Sequence, residues 1–469
     1  MLKIYIFLLM IFFSVYTTSA QRSQVFGGQA AYNKTTECIS EIKRIEIKQK
    51  LSANIEMLKE QGKLHTAKIS GGSPLFEFPM QFAPGFDDYG FYCTTNFVDE
   101  NVLNPGFITD YNCGSRSYDL SGYNHQGIDY VLWPFDWNLM QTGAVEIIAA
   151  APGTIIGKYD GNEDDHCAFS SDAWNAVYIM YDDGSISWYG HMKKFSTTTK
   201  SVGETMAAGE YLGLVGSSGS STAPHLHFET YDAEGFLIDP YAGDCNLLNT
   251  ESWWEDQPSY YDPKINKLQT HFAPPEFTPC PDEHILNDAD EFNAGDLIYF
   301  VTYFRDQRSI DLCEFSITDP DGILFDSWEF YQPADYYIAS YWYWSYPFPD
   351  DATDGIWTFA CTFAGETYTH EFVVNNGAVS ISNEQNNFLL NQIVHNDGIL
   401  HLNIQSAISF DSEFFITDNS GRKMYSSEET LLPGENFFEI SSDLAKGMYI
   451  FSLAADDRAH RINKKFFVE

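Results

Sequence analysis

Residues 213–229 read G-L-V-G-S-S-G-S-S-T-A-P-H-L-H-F-E, from Gly213 to Glu229. Small and turn-forming residues run from Gly216 to Pro224, which predicts a glycine- and serine-rich loop that delivers the chain into a short strand. Along that strand His225, His227 and Glu229 alternate with Leu226 and Phe228. Side chains on a strand repeat every two residues, so both imidazoles face one side and the two apolar residues the other. An isolated H-x-H is compatible with two packed, hydrogen-bonded core histidines. Its meaning therefore turns on partners elsewhere in the chain.

Two such partners lie upstream. His125-Gln-Gly-Ile-Asp129 sets an imidazole and a carboxylate four positions apart, one face of a strand or a helix alike. Tyr189-Gly190-His191-Met192 adds another histidine behind an aromatic run. Structural zinc usually takes four protein ligands, whereas catalytic zinc takes about three nitrogen or oxygen donors and keeps a position for water. Two histidines and one aspartate fit the second pattern, with two further histidines left for proton transfer. The chain holds no H-E-x-x-H, so a glutamate-base zincin is not supported.

These three elements, H-x-x-x-D, then G-H-M, then G-x-x-G-S-S-G-x-S-T-x-P-H-L-H-F-E, resemble the lysostaphin-type zinc endopeptidases over roughly residues 120–240. The resemblance implies one Zn2+ per chain held by His125, Asp129 and His227, with His191 and His225 as catalytic histidines. It implies an antiparallel β core, and a substrate of peptidoglycan cross-links or extracellular, often glycine-containing, peptides. Ala223 stands where the family usually has glycine before Pro-His-Leu-His, a departure that bears on loop shape and leaves the metal set intact. A binding or adhesive protein that keeps the peptidase fold is the alternative reading; metal content separates the two.

The rest of the chain frames this core. At 469 residues it has room for several domains. Lys3, the apolar run from Ile4 to Val15 and Thr18-Ser19-Ala20 read as a signal peptide over residues 1–20. That run is shorter than the roughly 20 residues a spanning helix needs. No later segment is apolar enough to span, so the mature protein is expected to be secreted or on the outer cell surface. Eight cysteines fit an oxidising compartment, and none forms C-x-x-C; Cys313 with Cys361 is the expected disulfide, because both lie in strand-like runs of one sandwich. With 26 Lys plus Arg against 66 Asp plus Glu, the net charge of −40 argues against nucleic acid and anionic lipid as partners.

Segment by segment, residues 21–74 form an N-terminal helical segment, with Ile42, Ile45, Leu51, Ile55 and Leu58 near helical spacing and Gly62 as a stop. It reads as a helix docked on the next domain, with an inhibitory prosegment as the sharper alternative. Residues 75–250 are the zinc peptidase domain, in which Ala176–Tyr181 and Ser185–Gly190 around Asp182-Asp-Gly184 predict a hairpin ending on His191. The acidic loop Asp160, Asp164, Asp165 and His166 lacks the alternation of an EF-hand and reads as solvated rather than calcium-binding. Trp133, Trp137, Trp253 and Trp254 read as packing residues, with a substrate groove as the sharper use. Residues 251–275, with Pro258, Pro263, Pro274 and Pro275, read as a linker.

Residues 276–375 alternate as strands, which predicts an immunoglobulin-like β-sandwich; its aromatic cluster from Trp328 to Tyr346 reads as core. Residues 376–469 form a third β unit. Its D-x-x-G turn at Asp418–Gly421, its K-G-M-Y-I-F strand and its terminal Asn463-Lys-Lys-Phe-Phe-Val468 resemble the C-terminal sorting domains of the type IX secretion route. That resemblance implies the type IX machinery as a partner. The expected fold class is mainly β throughout, with one short N-terminal helix.

Overall fold

The computed structural model describes residues 22–29, 39–64, 72–101, 106–120, 123–168, 170–281, 284–375, 388–396, 399–406, 409–418, 423–441, 444–455 and 461–468. The signal-peptide reading, Cys38 and most of the D-x-x-G turn fall outside these residues. The chain is mainly β and divides into two compact units, residues 1–377 and 378–469.

The first unit is built on an eight-stranded sheet. In chain order its strands are β1 (Tyr92–Asn96), β2 (Ile128–Leu132), β3 (Gly153–Tyr159), β4 (Ala176–Met180), β5 (Ile186–Gly190), β6 (Thr205–Met206), β7 (His225–Tyr231) and β8 (Leu237–Ile238). In space they run β6-β3-β4-β5-β7-β2-β1, with β8 also on β7. The expected hairpin is there: β4 and β5 pair antiparallel across the Asp182–Gly184 turn, where Gly184 takes a φ of 94°.

Register decides what each face carries. On β7 the even-numbered Leu226 and Phe228 join Ile128, Tyr130, Val177, Ile179 and Tyr189 in the main core. Residues of a three-stranded sheet (Met80–Phe82, Val145–Ile148, Tyr211–Leu214) complete that core. The odd-numbered His225, His227, Glu229 and Tyr231 point the other way, beside Trp188 and Tyr178. Trp137, Trp253 and Trp254 lie in the main core, so packing is their role.

A single long helix lies on that second face. Helix α1 (Glu41–Glu60) starts at Ser40, whose side chain accepts from the Lys43 N–H at 3.4 Å, and stops before Gly62 at a φ of 67°. Its inner stripe is Arg44, Ile47, Leu51, Ile55 and Leu58, packed with Tyr178, Trp188 and Tyr231. Ile42 and Ile45, expected on the apolar stripe, are exposed. The stripe that repeats every three to four residues passes through Arg44, which a search for apolar residues skips.

A second pair of sheets packs against the first domain. One comprises Phe26–Gln29, Tyr336–Pro347, Leu297–Arg308 and Lys264–His271; the other contains Cys313–Thr318, Gly355–Phe363 and Glu366–Asn375. Between them lies a core that includes Trp328, Trp342, Trp344 and Tyr346, so the aromatic cluster packs inward. Lys264–His271 falls within the stretch read as a linker. Pro263 and Pro274 bracket that strand instead of interrupting it, so its ladder with Leu297–Arg308 loses no donor. Val131 and Trp133 join Val301, Tyr303 and Ile338 in one cluster, and Arg116 pairs with Asp306 at 3.2 Å, which fixes the two domains together.

The disulfide expectation needs correcting. The described bridges are Cys113–Cys245 and Cys167–Cys280. Cys313 and Cys361 sit on adjacent strands, buried and unbridged. Sharing a sandwich brings two cysteines close but does not by itself join them.

The second unit has two sheets of its own. Phe388–Asn396, Ile399–Ser406 and Gly434–Ser441 form one; Phe410–Asp418, Lys423–Leu431, Gly447–Ala455 and Arg461–Val468 form the other. Leu402, Ile404, Phe414, Phe451 and Leu453 fill its core.

Candidate active site

Strands β7 and β2 bring the motif residues together. His227 lies directly opposite Asp129 in the antiparallel register, and His225 opposite Val131. His125 precedes β2 by three residues, and its Nδ1 donates to the Phe97 carbonyl at 2.8 Å. One donor atom from each of His125, Asp129 and His227 lies within 4.8 Å of the others, and all three residues are buried. The His125 Nε2 is 3.1 Å from Asp129 Oδ2, and the His227 Nδ1 is 2.8 Å from Asp129 Oδ1.

Hydrogen-bond partners set which ring nitrogen carries the proton. A carbonyl oxygen only accepts, so His125 holds its proton on Nδ1 and turns the Nε2 lone pair toward Asp129. His227 is the mirror case: its Nε2 meets the Glu229 carboxylate at 3.1 Å, which leaves the Nδ1 lone pair on the Asp129 side. Two neutral imidazoles and one carboxylate, lone pairs converging, are the donor set a divalent zinc ion takes.

The remaining two histidines stand beside this cluster. His191 follows β5 directly, and its Nδ1 donates to the Ser218 carbonyl at 2.6 Å. Its backbone takes a φ of 60°, a left-handed conformation that non-glycine residues adopt at a cost and that concentrates at functional sites. The His225 Nδ1 donates to the Ala223 carbonyl at 2.8 Å, and its Nε2 is 3.6 Å from Asp129 Oδ1. The two rings lie 4.3 Å apart. Both therefore present Nε2 as the proton acceptor.

Several contributors carried no legible signal. Trp174 lies edge-on to His191 at 5.1 Å, and a Cβ at Gly190 or Gly219 would strike its ring or backbone. Ser218 and Ser221 of the turn-forming run serve the site: Ser218 receives His191, and Ser221 Oγ lies 3.3 Å from His225 Nδ1. Asn96 donates to Asp129 Oδ2 at 3.0 Å. Arg44 reaches Glu229 from α1. Only the serines lie inside a recognisable motif. The acidic loop is internally occupied, with Asp160 accepting from Phe195 and Thr197 and Asp164 from Lys194.

Comparison with known proteins agrees with this geometry. Residues 123–240 match the model of peptidase family M23. Glycyl-glycine endopeptidase ALE-1 of Staphylococcus capitis is 31% identical over 124 residues, 25% of this chain and 28% of that protein. Lysostaphin of Staphylococcus staphylolyticus is 41% identical over 124 residues, 25% of this chain and 21% of that protein. This chain thus spans about a quarter of the length of those relatives. The catalytic domain of a mutant of the prophage-encoded M23 protein EnpA from Enterococcus faecalis overlaps at 27% identity and a TM-score of 0.20, covering 36% of this chain and 94% of that one. Residues 123–240 carry a peptidase family M23 domain, distantly related to lysostaphin and ALE-1, whose histidine–histidine–aspartate triad matches a zinc-dependent metalloendopeptidase site.

Proposed function

We propose that this protein is an exported zinc metalloendopeptidase that hydrolyses peptide bonds in peptidoglycan cross-links or glycine-rich extracellular peptides. The observation that carries the reading is the convergence of His125 Nε2, the Asp129 carboxylate and His227 Nδ1, with both tautomers set by partners behind the rings. The ligands are His125, Asp129 and His227, for one Zn2+ per chain. When bound there, zinc supplies a Lewis acid and lowers the pKa of a water towards about 7.

The chain's own residues do the rest. His191 and His225, each with Nε2 unprotonated, are placed to take the water's proton and later return it to the leaving amine. One would act as base, while the other, in a molecule where it has taken a proton from solvent, would donate to the oxyanion. The name of ALE-1, a glycyl-glycine endopeptidase, supports the glycine-rich substrate class.

The domain plan proposed with this function keeps residues 1–20 as signal peptide, 21–74 as the helical segment and 75–250 as the catalytic domain. Residues 251–275 connect it to an immunoglobulin-like sandwich at 276–375, and 376–469 form a type IX sorting domain. The last rests on the sequence runs Lys446–Leu453 and Asn463–Val468, the second of them basic and aromatic. Incubating the purified protein with peptidoglycan sacculi and with glycine-containing peptides, then identifying fragments by mass spectrometry, tests the function. Absence of cleavage by zinc-loaded protein on both substrates overturns it.

A further inference from the structure

Behind the metal cluster lies a buried ion pair whose cation comes from far upstream in the chain. Arg44, on the first turn of α1, is 2% exposed, and Glu229, on β7, is fully buried. The Arg44 Nη1 donates to Glu229 Oε1 and, at 2.8 Å, to the Tyr231 hydroxyl. The Tyr231 hydroxyl also donates to Glu229 Oε1. The other carboxylate oxygen, Oε2, receives His227 Nε2 at 3.1 Å. One oxygen is thus gripped from two sides while its twin holds the back of a proposed metal ligand.

Withdrawing two ions from water is costly unless each meets a well-placed partner, and apolar residues of similar volume often stabilise as well or better. A buried Arg–Glu pair here is thus poorly explained by stability alone. The rest of α1 already has an apolar seat: Leu51, Ile55 and Leu58 pack with Tyr178 and Ile156, and Asn54 donates to the Ile156 carbonyl at 2.8 Å. Leu51 fits closely enough that a Cβ on Gly157 would come within 2.6 Å of it. The helix has contacts to dock with, apart from Arg44.

We propose that Arg44 is a positioning residue of the metal site: by fixing Glu229, it fixes the orientation and tautomer of His227, so that α1 is a working part of the site. This rests on the metallopeptidase reading above. Groups that orient a ligand imidazole typically change metal affinity by about 10- to 100-fold when removed. Arg44 acts one step further back, and its Nη1, shared between Glu229 and Tyr231, determines where the carboxylate sits.

Zinc affinity of the full chain, measured by competition with a chromophoric chelator, tests this. The variants are Arg44→Met, Arg44→Lys, Glu229→Gln and the double Arg44→Met/Glu229→Gln. Melting of the zinc-free proteins, followed in parallel, monitors helix docking. The expected result is a loss of about tenfold or more for Arg44→Met and a smaller loss for Arg44→Lys. The double variant should bind zinc about as well as the weaker single one, because both changes interrupt one relay. Should Arg44→Met fail to fold, Arg44→Lys against Glu229→Gln carries the same comparison. Unchanged zinc affinity in the Arg44 variants, with only the zinc-free melting temperature lowered, overturns the proposal and leaves Arg44 a docking residue. Fully additive losses overturn it too. A wild-type chain that takes up no zinc overturns the metallopeptidase reading, a result distinct from either of these.

Discussion

Replacing Gly127 with alanine should damage the metal site while adding only one methyl group. Gly127 lies between His125 and Asp129, and a Cβ there would come 2.5 Å from His227 Cε1, 2.6 Å from its Nε2 and 2.9 Å from the Phe228 carbonyl oxygen. Its φ is not in the left-handed region, so alanine fits the backbone. By restricting the unfolded chain alone it would stabilise by about 0.4–1 kcal/mol. Packing opposes this. Carbon contacts settle near about 3.5–4.0 Å, so the imidazole must retreat by roughly 1 Å. Its Nε2 is held by Glu229 at 3.1 Å and its Nδ1 stands 2.8 Å from Asp129, and such a shift disturbs both distances. Overpacking of this kind costs about 1–3 kcal/mol, so at mid-range the balance is a net loss of about 1 kcal/mol. The effect on metal should be larger, since zinc–nitrogen bonds tolerate only about 0.2 Å of error. Urea unfolding of the metal-free protein, with metal content after dialysis, measures both. A Gly127→Ala protein more stable than wild type and still stoichiometrically loaded would refute the steric reasoning.

Asp129→Ala should abolish metal retention, read by elemental analysis, while circular dichroism shows an intact β fold. His191→Ala and His225→Ala should each lower kcat and kcat/KM together by about 10²- to 10⁴-fold with metal still bound; the double variant should lose far less than the product of the two. Stability should also depend on pH through Glu100, whose carboxyl burial raises from 4.5 to about 7. Because the folded value lies above the unfolded one, the contribution is complete below pH 4.5 and is lost as pH rises through about 7. Glu100→Gln should reduce the fall of the urea midpoint between about pH 5 and 8.

The metal cluster was legible because its residues sit in short local patterns whose period matches their element. His225 and His227 share a strand face by alternation alone, and the hairpin ahead of His191 is spelled out by Asp182-Asp-Gly184. What stayed illegible depends on residues far apart in sequence. The burial of Arg44 follows from a buried carboxylate 185 positions away, not from its neighbours on α1. Lys264–His271 is a strand because Leu297–Arg308 offers it an edge. Cys167 meets Cys280 across 113 residues while Cys313 and Cys361, neighbours in space, stay unbridged, since cysteine spacing says nothing of which loops converge. Trp174 is a site residue because Gly190 leaves room for its ring and Gly219 for its backbone.

The separation of Arg44 from Glu229 also bears on how the molecule is made. Helix α1 leaves the ribosome long before the strand it must meet. Its inner stripe, with an arginine in it, must wait until His225–Tyr231 has emerged and paired on both sides. Contacts closing so long a loop form late, because the chain gives up its freedom before they return anything. The support behind His227 is thus among the late contacts of this domain. A nascent or misfolded chain can expose His125 and Asp129 without holding a complete metal cluster, so the site is assembled only when the domain has closed.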